Sequence, residues 1–174
     1  MRVLIDGYNL AHASTWLGLK GQVREPAGLR LMMTQMLAHY AGRCDDRMTV
    51  VFDGLPADRQ RVIDLGKRAG IEVLFSGHEG EADALIERML EVTSGARDTL
   101  VVSSDRRVRS AASRHRAKSM TSGEFFNRIR RTLLEPAAST QAEPAEKSRG
   151  LDEVETRVWM RILGLGEEET EEGR

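Results

Sequence analysis

The sequence predicts an α/β fold: three layers, with a mainly parallel central sheet between helices. Three observations predict it. Four short apolar runs recur along the chain: Val3 to Ile5, Thr49 to Phe52, Glu72 to Phe75 and Leu100 to Val102. Each is too short for a helix and nearly continuous in Val, Ile, Leu or Phe, as suits strands covered on both faces. Segments of helical spacing lie between them, and strand–helix alternation favours a parallel sheet flanked by helices. The 174 residues accommodate one ordinary domain and a tail.

The first helix expected after the opening strand carries Leu29, Met32, Met33, Met36, Leu37 and Tyr40 at i, i+3, i+4, i+7 spacing. A later one carries Leu85, Ile86, Met89 and Leu90. Gln60 to Arg68 and Arg106 to Arg114 are more polar, but nothing in them forbids a helix. Thr121-Ser122-Gly123-Glu124 matches a capping box before Phe125, Phe126 and Ile129. The domain is expected to span residues 1–134. Residues 135–150 are rich in Pro, Ala, Ser, Thr and Glu and read as a flexible linker. Residues 151–174 then form a short amphipathic helix, with Leu151, Val154, Val158, Ile162 and Leu165 on one face, and an acidic tail.

Hydrophobic residues make up 40% of the chain and charged ones 30%, the balance of a soluble protein with a core. The single cysteine, Cys44, excludes an internal disulfide and a Cys-rich zinc site, and reads as a small filler. No stretch approaches the roughly 20 apolar residues that span a bilayer, and no signal peptide is evident. A cytoplasmic protein without a membrane partner is expected.

The chemistry lies in where the acids fall. Asp6 follows the first run, Asp53 the second and Asp105 the fourth, while Glu81 and Asp83 open a helix after the third. In open α/β sheets the ligand crevice lies beyond the carboxyl ends of the strands, so these acids should share one edge. Two unit charges about 4 Å apart repel by roughly 1 kcal/mol in water and by several times that in a partly desolvated cleft. Clustered carboxylates therefore need raised pKa values or a cation. A hard cation such as Mg²⁺ or Mn²⁺ resolves the repulsion, acidifies water and neutralises a phosphodiester under attack. The four histidines, His12, His39, His78 and His115, are too scattered to suggest zinc.

Each acid also has a purely structural reading. Asp105 is a good N-cap, Glu81 and Asp83 suit the positive end of a helix, and Asp53 before Gly54 and Pro56 suits a turn. Asp6 is the hardest to dismiss, because no clear helix follows it to be capped. Asn9 can orient Asp6. Ser103 and Ser104 can contact a phosphate or merely satisfy backbone groups at a strand end.

Net charge is only −1, but it is unevenly distributed. Residues 106–131 carry Arg106, Arg107, Arg109, Arg114, Arg116, Lys118, Arg128, Arg130 and Arg131 against a single acid, Glu124. A basic segment beginning beside an acidic edge suits a cutter of polyanions. Arg106 and Arg109 stand nearest Asp105, and Lys20 and Arg24 can grip from the other side. For any one arginine a solvated helix face is the commoner explanation. With few aromatics, grip through phosphates is expected rather than extensive base stacking.

Asp6-Gly7-Tyr8-Asn9, Phe52-Asp53, Glu81-Ala82-Asp83 with Ile86-Glu87, and Ser103-Ser104-Asp105 occur in the order of the NYN domains, and the chain resembles their YacP-like branch over residues 1–134. The branch usually has Thr where Ala82 and Ser103 stand. The resemblance implies a three-layer, Rossmann-like PIN-type fold and a Mg²⁺- or Mn²⁺-dependent endoribonuclease. It implies Asp6, Asp83 and Asp105 as catalytic metal ligands, supported by Asn9, Asp53, Glu81 and Ser104. The expected partner is RNA, free or held in a larger particle such as the ribosome. The rival readings are an RNA-binding adaptor without turnover, and a phosphoesterase acting on DNA or nucleotides. No GxxxxGK[ST] or GxGxxG loop is present to support nucleotide binding by those routes.

Overall fold

A computed structural model describes residues 1–13, 25–77, 81–93, 96–134 and 153–163. Strands β1 (Arg2–Asp6), β2 (Arg47–Phe52), β3 (Glu72–Phe75), β4 (Thr99–Val102) and β5 (Lys118–Met120) form one sheet in the order β3-β2-β1-β4-β5, with every pairing parallel. The four apolar runs are all strands. The fifth, Lys-Ser-Met, is a short and largely exposed edge strand whose composition carries no strand signal.

Side chains alternate along the strands and so divide the core in two. Val3, Ile5, Met48, Val50, Phe52, Leu100 and Val102 face one layer, and Leu4, Val51 and Val101 face the other. The first layer holds α1 (Gly7–Ala13), α2 (Pro26–Ala41), α3 (Arg59–Arg68), α6 (Ser122–Leu134) and α7 (Glu153–Ile162), and the second holds α4 (Ala82–Val92) and α5 (Arg106–Arg114). The predicted stripe of α2 is buried from Met32 to Tyr40, and Pro26 opens that helix, where a missing N–H costs nothing. The box at Thr121 closes as expected: Glu124 accepts from the Thr121 amide at 2.9 Å and from its hydroxyl, and the Glu124 amide donates back to Thr121 Oγ1. Cys44 is a free thiol packed against the core.

One further element departs from the sequence reading. A helix does begin directly after Asp6. It starts there because Gly7 has no side chain: a Cβ would lie 2.4 Å from the Phe52 ring. The C-terminal helix lies on the same core, through Trp159 and Leu163. Trp159 is wholly buried and stacks on Phe126, with centroids 5.9 Å apart. Val158 and Ile162 flank this contact and are half-buried. Residues 135–150, Leu165 and the acidic tail lie outside the described residues, as do the side chains of Leu151 and Val154. No described helix is long and apolar enough to cross a membrane.

Candidate active site at the carboxyl edge of the sheet

The strand order reverses direction between β1 and β4, and in open α/β sheets ligands bind at such a switch point, beyond the carboxyl ends of the strands, here those of β1 and β4. Asp6 ends β1 and is only 3% exposed. Its oxygens accept from the Asn9 amide at 3.1 Å, Asn9 Nδ2 at 2.8 Å and the Ser103 hydroxyl at 3.0 Å. Burial pushes its pKa up, and these three donors oppose that shift. The carboxylate is thus held in place by neighbours that compensate for lost water.

Ser103 stands just past β4, is wholly buried, and also accepts from the Asp105 amide at 3.1 Å. It therefore connects the ends of β1 and β4. Asp105 caps α5, accepting from the Arg107 amide at 2.6 Å, and its side chain is exposed. Asp53 does not serve the turn that follows it. It reaches across to accept from the Ala82 amide at 2.6 Å, capping α4 and so setting the position of Asp83 one residue on.

Asp83 is half-buried and, among the described residues, makes no hydrogen bond or ion pair. Its pKa rises from 3.8 to about 6, first by burial and then by the charges of Asp6 and Asp105; Arg107 lowers it, and Asp53 adds a further upward push. The four aspartates are therefore electrostatic neighbours, with Asp83 at the centre of their repulsion. They do not form a closed cage: among the described residues no three His, Cys, Asp or Glu side chains are grouped as a ready ligand set. Carboxylate oxygens without imidazole or thiolate suit a hard cation, and an open set suits one that retains its own waters. The donor chemistry fits Mg²⁺ or Mn²⁺.

The remaining expected residues are more dispersed. Glu81 precedes α4 without capping it, is largely exposed and pairs with Arg107 at 3.6 Å. Ser104 accepts from the Ser122 amide at 3.2 Å, satisfying the start of α6 rather than touching Asp6. Arg106 is exposed beside Asp105, and Arg109 is half-buried one turn further along α5. Lys20 and Arg24 lie outside the described residues.

Sequence reasoning named two residues without giving either its role at the acids. Ser103 is the hydroxyl that touches Asp6; its signal was its place one residue beyond a strand buried throughout. Arg107 is the cation at the acidic edge, held also by Glu87 at 3.2 Å, which in turn lies 3.7 Å from Arg114. Arg107 and Arg114 are seven apart on α5, a spacing that becomes informative once α4 is known to lie alongside.

Five parallel strands in this order, with acids at the carboxyl edge, define a PIN-like α/β domain of the nuclease type. The chain belongs to the YacP-like NYN domain family, whose model matches residues 3–162 and so continues past residue 134 into α7. It is similar to the crystal structure of a tryptophan-to-leucine mutant of Rae1 (YacP) from Bacillus subtilis, at 26% identity and a TM-score of 0.57, covering 76% of each chain. A second Rae1 (YacP) structure from the same organism aligns at 22% identity and the same TM-score of 0.57, over 76% of this chain and 75% of that one, and supports the fold alone. No curated protein matches the chain by sequence.

Proposed function

We propose that the protein is a Mg²⁺- or Mn²⁺-dependent endoribonuclease. The observation that carries this reading is Asp83: a half-buried carboxylate without a hydrogen-bond donor among the described residues, and with the charges of three other aspartates acting on it. A group so disfavoured calls for a cation, and the sheet edge on which it stands is where such folds bind ligands.

Asp6, Asp83 and Asp105 would hold the ion. A divalent cation there supplies Lewis acidity, acidifying water and neutralising the phosphodiester. The chain's own residues position and retain. Asn9 and Ser103 orient Asp6 and oppose the upward push of burial on its pKa. Asp53 fixes the start of α4, and with it Asp83. Arg107 moderates the negative charge, while Arg106 and Arg109 face the incoming phosphates, with Lys20 and Arg24 assigned to the opposite bank. Residues 1–134 are the catalytic unit, residues 135–150 a tether, and α7 a brace docked on that unit. The substrate is RNA met in the cytoplasm, free or presented on a larger particle such as the ribosome.

The test is incubation of pooled RNA with the purified protein, with either metal and with chelator, followed by mapping of product ends. Wild type should cut only with metal, and Asp6→Asn or Asp105→Asn should bind RNA without cutting it. Comparable turnover by either variant removes those roles. Retained binding with no cleavage by wild type would favour the adaptor reading.

A further inference from the structure

Among the described residues two charged side chains are buried, Asp6 at 3% exposure and Arg30 at 5%. The first belongs to the acidic edge. The second, in the second turn of α2, has no part in the site described above. Burying a guanidinium costs hydration, and apolar residues of similar volume in place of a buried ion pair often leave a fold as stable or more so. Packing alone therefore does not explain an arginine at this position.

Its contacts do. Arg30 donates to both oxygens of Asp58, from Nε at 3.3 Å and from Nη2, and its Nη1 donates to the Tyr8 hydroxyl oxygen at 2.6 Å. Asp58 stands at the N-cap position of α3, where an aspartate ordinarily accepts from the helix's own amides. Its side chain makes no capping bond and is given over to Arg30 instead. A guanidinium can only donate, so Tyr8→Phe would leave Nη1 without this acceptor. The Tyr8 ring also stands edge-on to the buried Phe52 ring, with centroids 5.5 Å apart. Tyr8 is thus held at its ring and at its oxygen.

The residue after Tyr8 is Asn9, whose amide and side chain reach the two oxygens of Asp6 at 3.1 and 2.8 Å. Both lie in the first turn of α1, a helix of seven residues, so holding one sets the place of the other. The two buried charges are therefore the ends of one chain of contacts. It runs from Asp58 to Arg30 to Tyr8, and through the turn of α1 to Asn9 and Asp6.

We infer that Arg30 and Tyr8 are positioning residues for Asp6 as a metal ligand: Arg30, braced by Asp58, holds the turn of α1 from which Asn9 grips the carboxylate. This rests on the reading of the acidic edge as the metal centre of a ribonuclease. Neither residue touches the ion or the RNA. Groups that orient a ligand in this way change metal affinity by an order of magnitude or more when they are removed.

The experiment measures Mn²⁺ binding to the full chain without RNA, from the electron paramagnetic resonance signal of the free ion, beside Tm in chelator. Tyr8→Phe keeps the ring on Phe52 and should weaken Mn²⁺ binding about tenfold. Asn9→Ala should weaken it at least as much, and the double variant should be little worse than Asn9→Ala alone, because both act through one path. Arg30→Met combined with Asp58→Asn removes both partners of the ion pair. It should weaken Mn²⁺ binding as Tyr8→Phe does, with Tm close to wild type or above it. Losses that simply add, or a double Arg30/Asp58 variant that binds Mn²⁺ like wild type, would overturn the positioning role. If wild type cuts RNA and Tyr8→Phe keeps its Mn²⁺ affinity, the positioning role fails and the ribonuclease reading survives. If wild type binds Mn²⁺ without cutting RNA and the variants still weaken that binding as described, the positioning role stands and the ribonuclease reading falls.

Discussion

Replacing Asp83 with Asn removes one charge from the acidic edge and keeps the shape of the side chain. The Asp83 pKa lies at about 6 instead of 3.8. A shift of that size corresponds to roughly 3 kcal/mol between the protonation states. Because Asp83 is only half-buried, solvent screening reduces the usable part to roughly 1–2 kcal/mol. The sign follows from linkage. The folded-state pKa is raised, so the wild type carries no penalty below about pH 4, and the penalty develops as pH rises through about 6. In chelator at about pH 7.5, Asp83→Asn should therefore melt higher than wild type by roughly 2–8 °C. The gap should narrow as pH falls through about 4.5 and close below about 4. Saturating Mg²⁺ or Mn²⁺ should stabilise wild type more than the variant, because the ion binds the folded state of the former better. Thermal unfolding monitored by circular dichroism at both pH values, with and without metal, reads all three effects. An Asn variant that melts at or below wild type at the higher pH would refute the claim that these carboxylates repel one another.

Arg107→Ala removes the cation that lowers the Asp83 pKa, so the acid limb of the pH–rate profile should move to higher pH by a few tenths of a unit; a limb that stays or moves down contradicts this assignment. Gly7→Ala places a Cβ 2.4 Å from the Phe52 ring and 3.0 Å from the Val51 carbonyl oxygen, and should lower stability by about 1–3 kcal/mol in denaturant titrations, with no loss expected if α1 can slide. Trp159→Ala removes a fully buried indole stacked on Phe126 and should cost about 3–5 kcal/mol; unchanged stability would mean that α7 is dispensable to the core.

Most of the sheet was legible because its strands are buried on both faces, which forces continuous apolar runs. Lys118-Ser119-Met120 escaped because an edge strand with little cover needs no such run; its parallel pairing with β4 positions it instead. The helix after Asp6 was missed for a related reason. Gly7 discourages a helix by propensity, but the close approach of the Phe52 ring leaves room for nothing larger, so packing overrides propensity. The acids were legible because strand ends are visible in sequence and the parallel topology brings those ends to one side. Which hydroxyl would meet Asp6 depended on side-chain direction across β4, and Ser103 rather than Ser104 turns toward it. Arg107 was hidden because its partners, Glu81 just before α4 and Glu87 on it, belong to a different part of the chain.

Structural and chemical readings of the acids are not alternatives here. Asp6 accepts from the Asn9 amide in the first turn of α1, Asp53 from the first amide of α4, and Asp105 from the second residue of α5. Each cap fixes a carboxylate at the rim, and the dipole of the helix it caps favours its negative charge. Asp83 has no such employment, and it is the acid whose ionised form is most disfavoured. This division predicts how substitutions separate. Asn retains a side-chain oxygen that can accept the capping N–H, whereas Ala does not, at about 1 kcal/mol per cap. At Asp6, Asp53 and Asp105, Ala should therefore destabilise more than Asn, while both remove the charge. At Asp83, Asn and Ala should be alike in lacking a cap to lose. Parallel stability and cleavage measurements on the four Asn/Ala pairs would distinguish these behaviours, and a cap-like Asn–Ala difference at Asp83 would overturn the division.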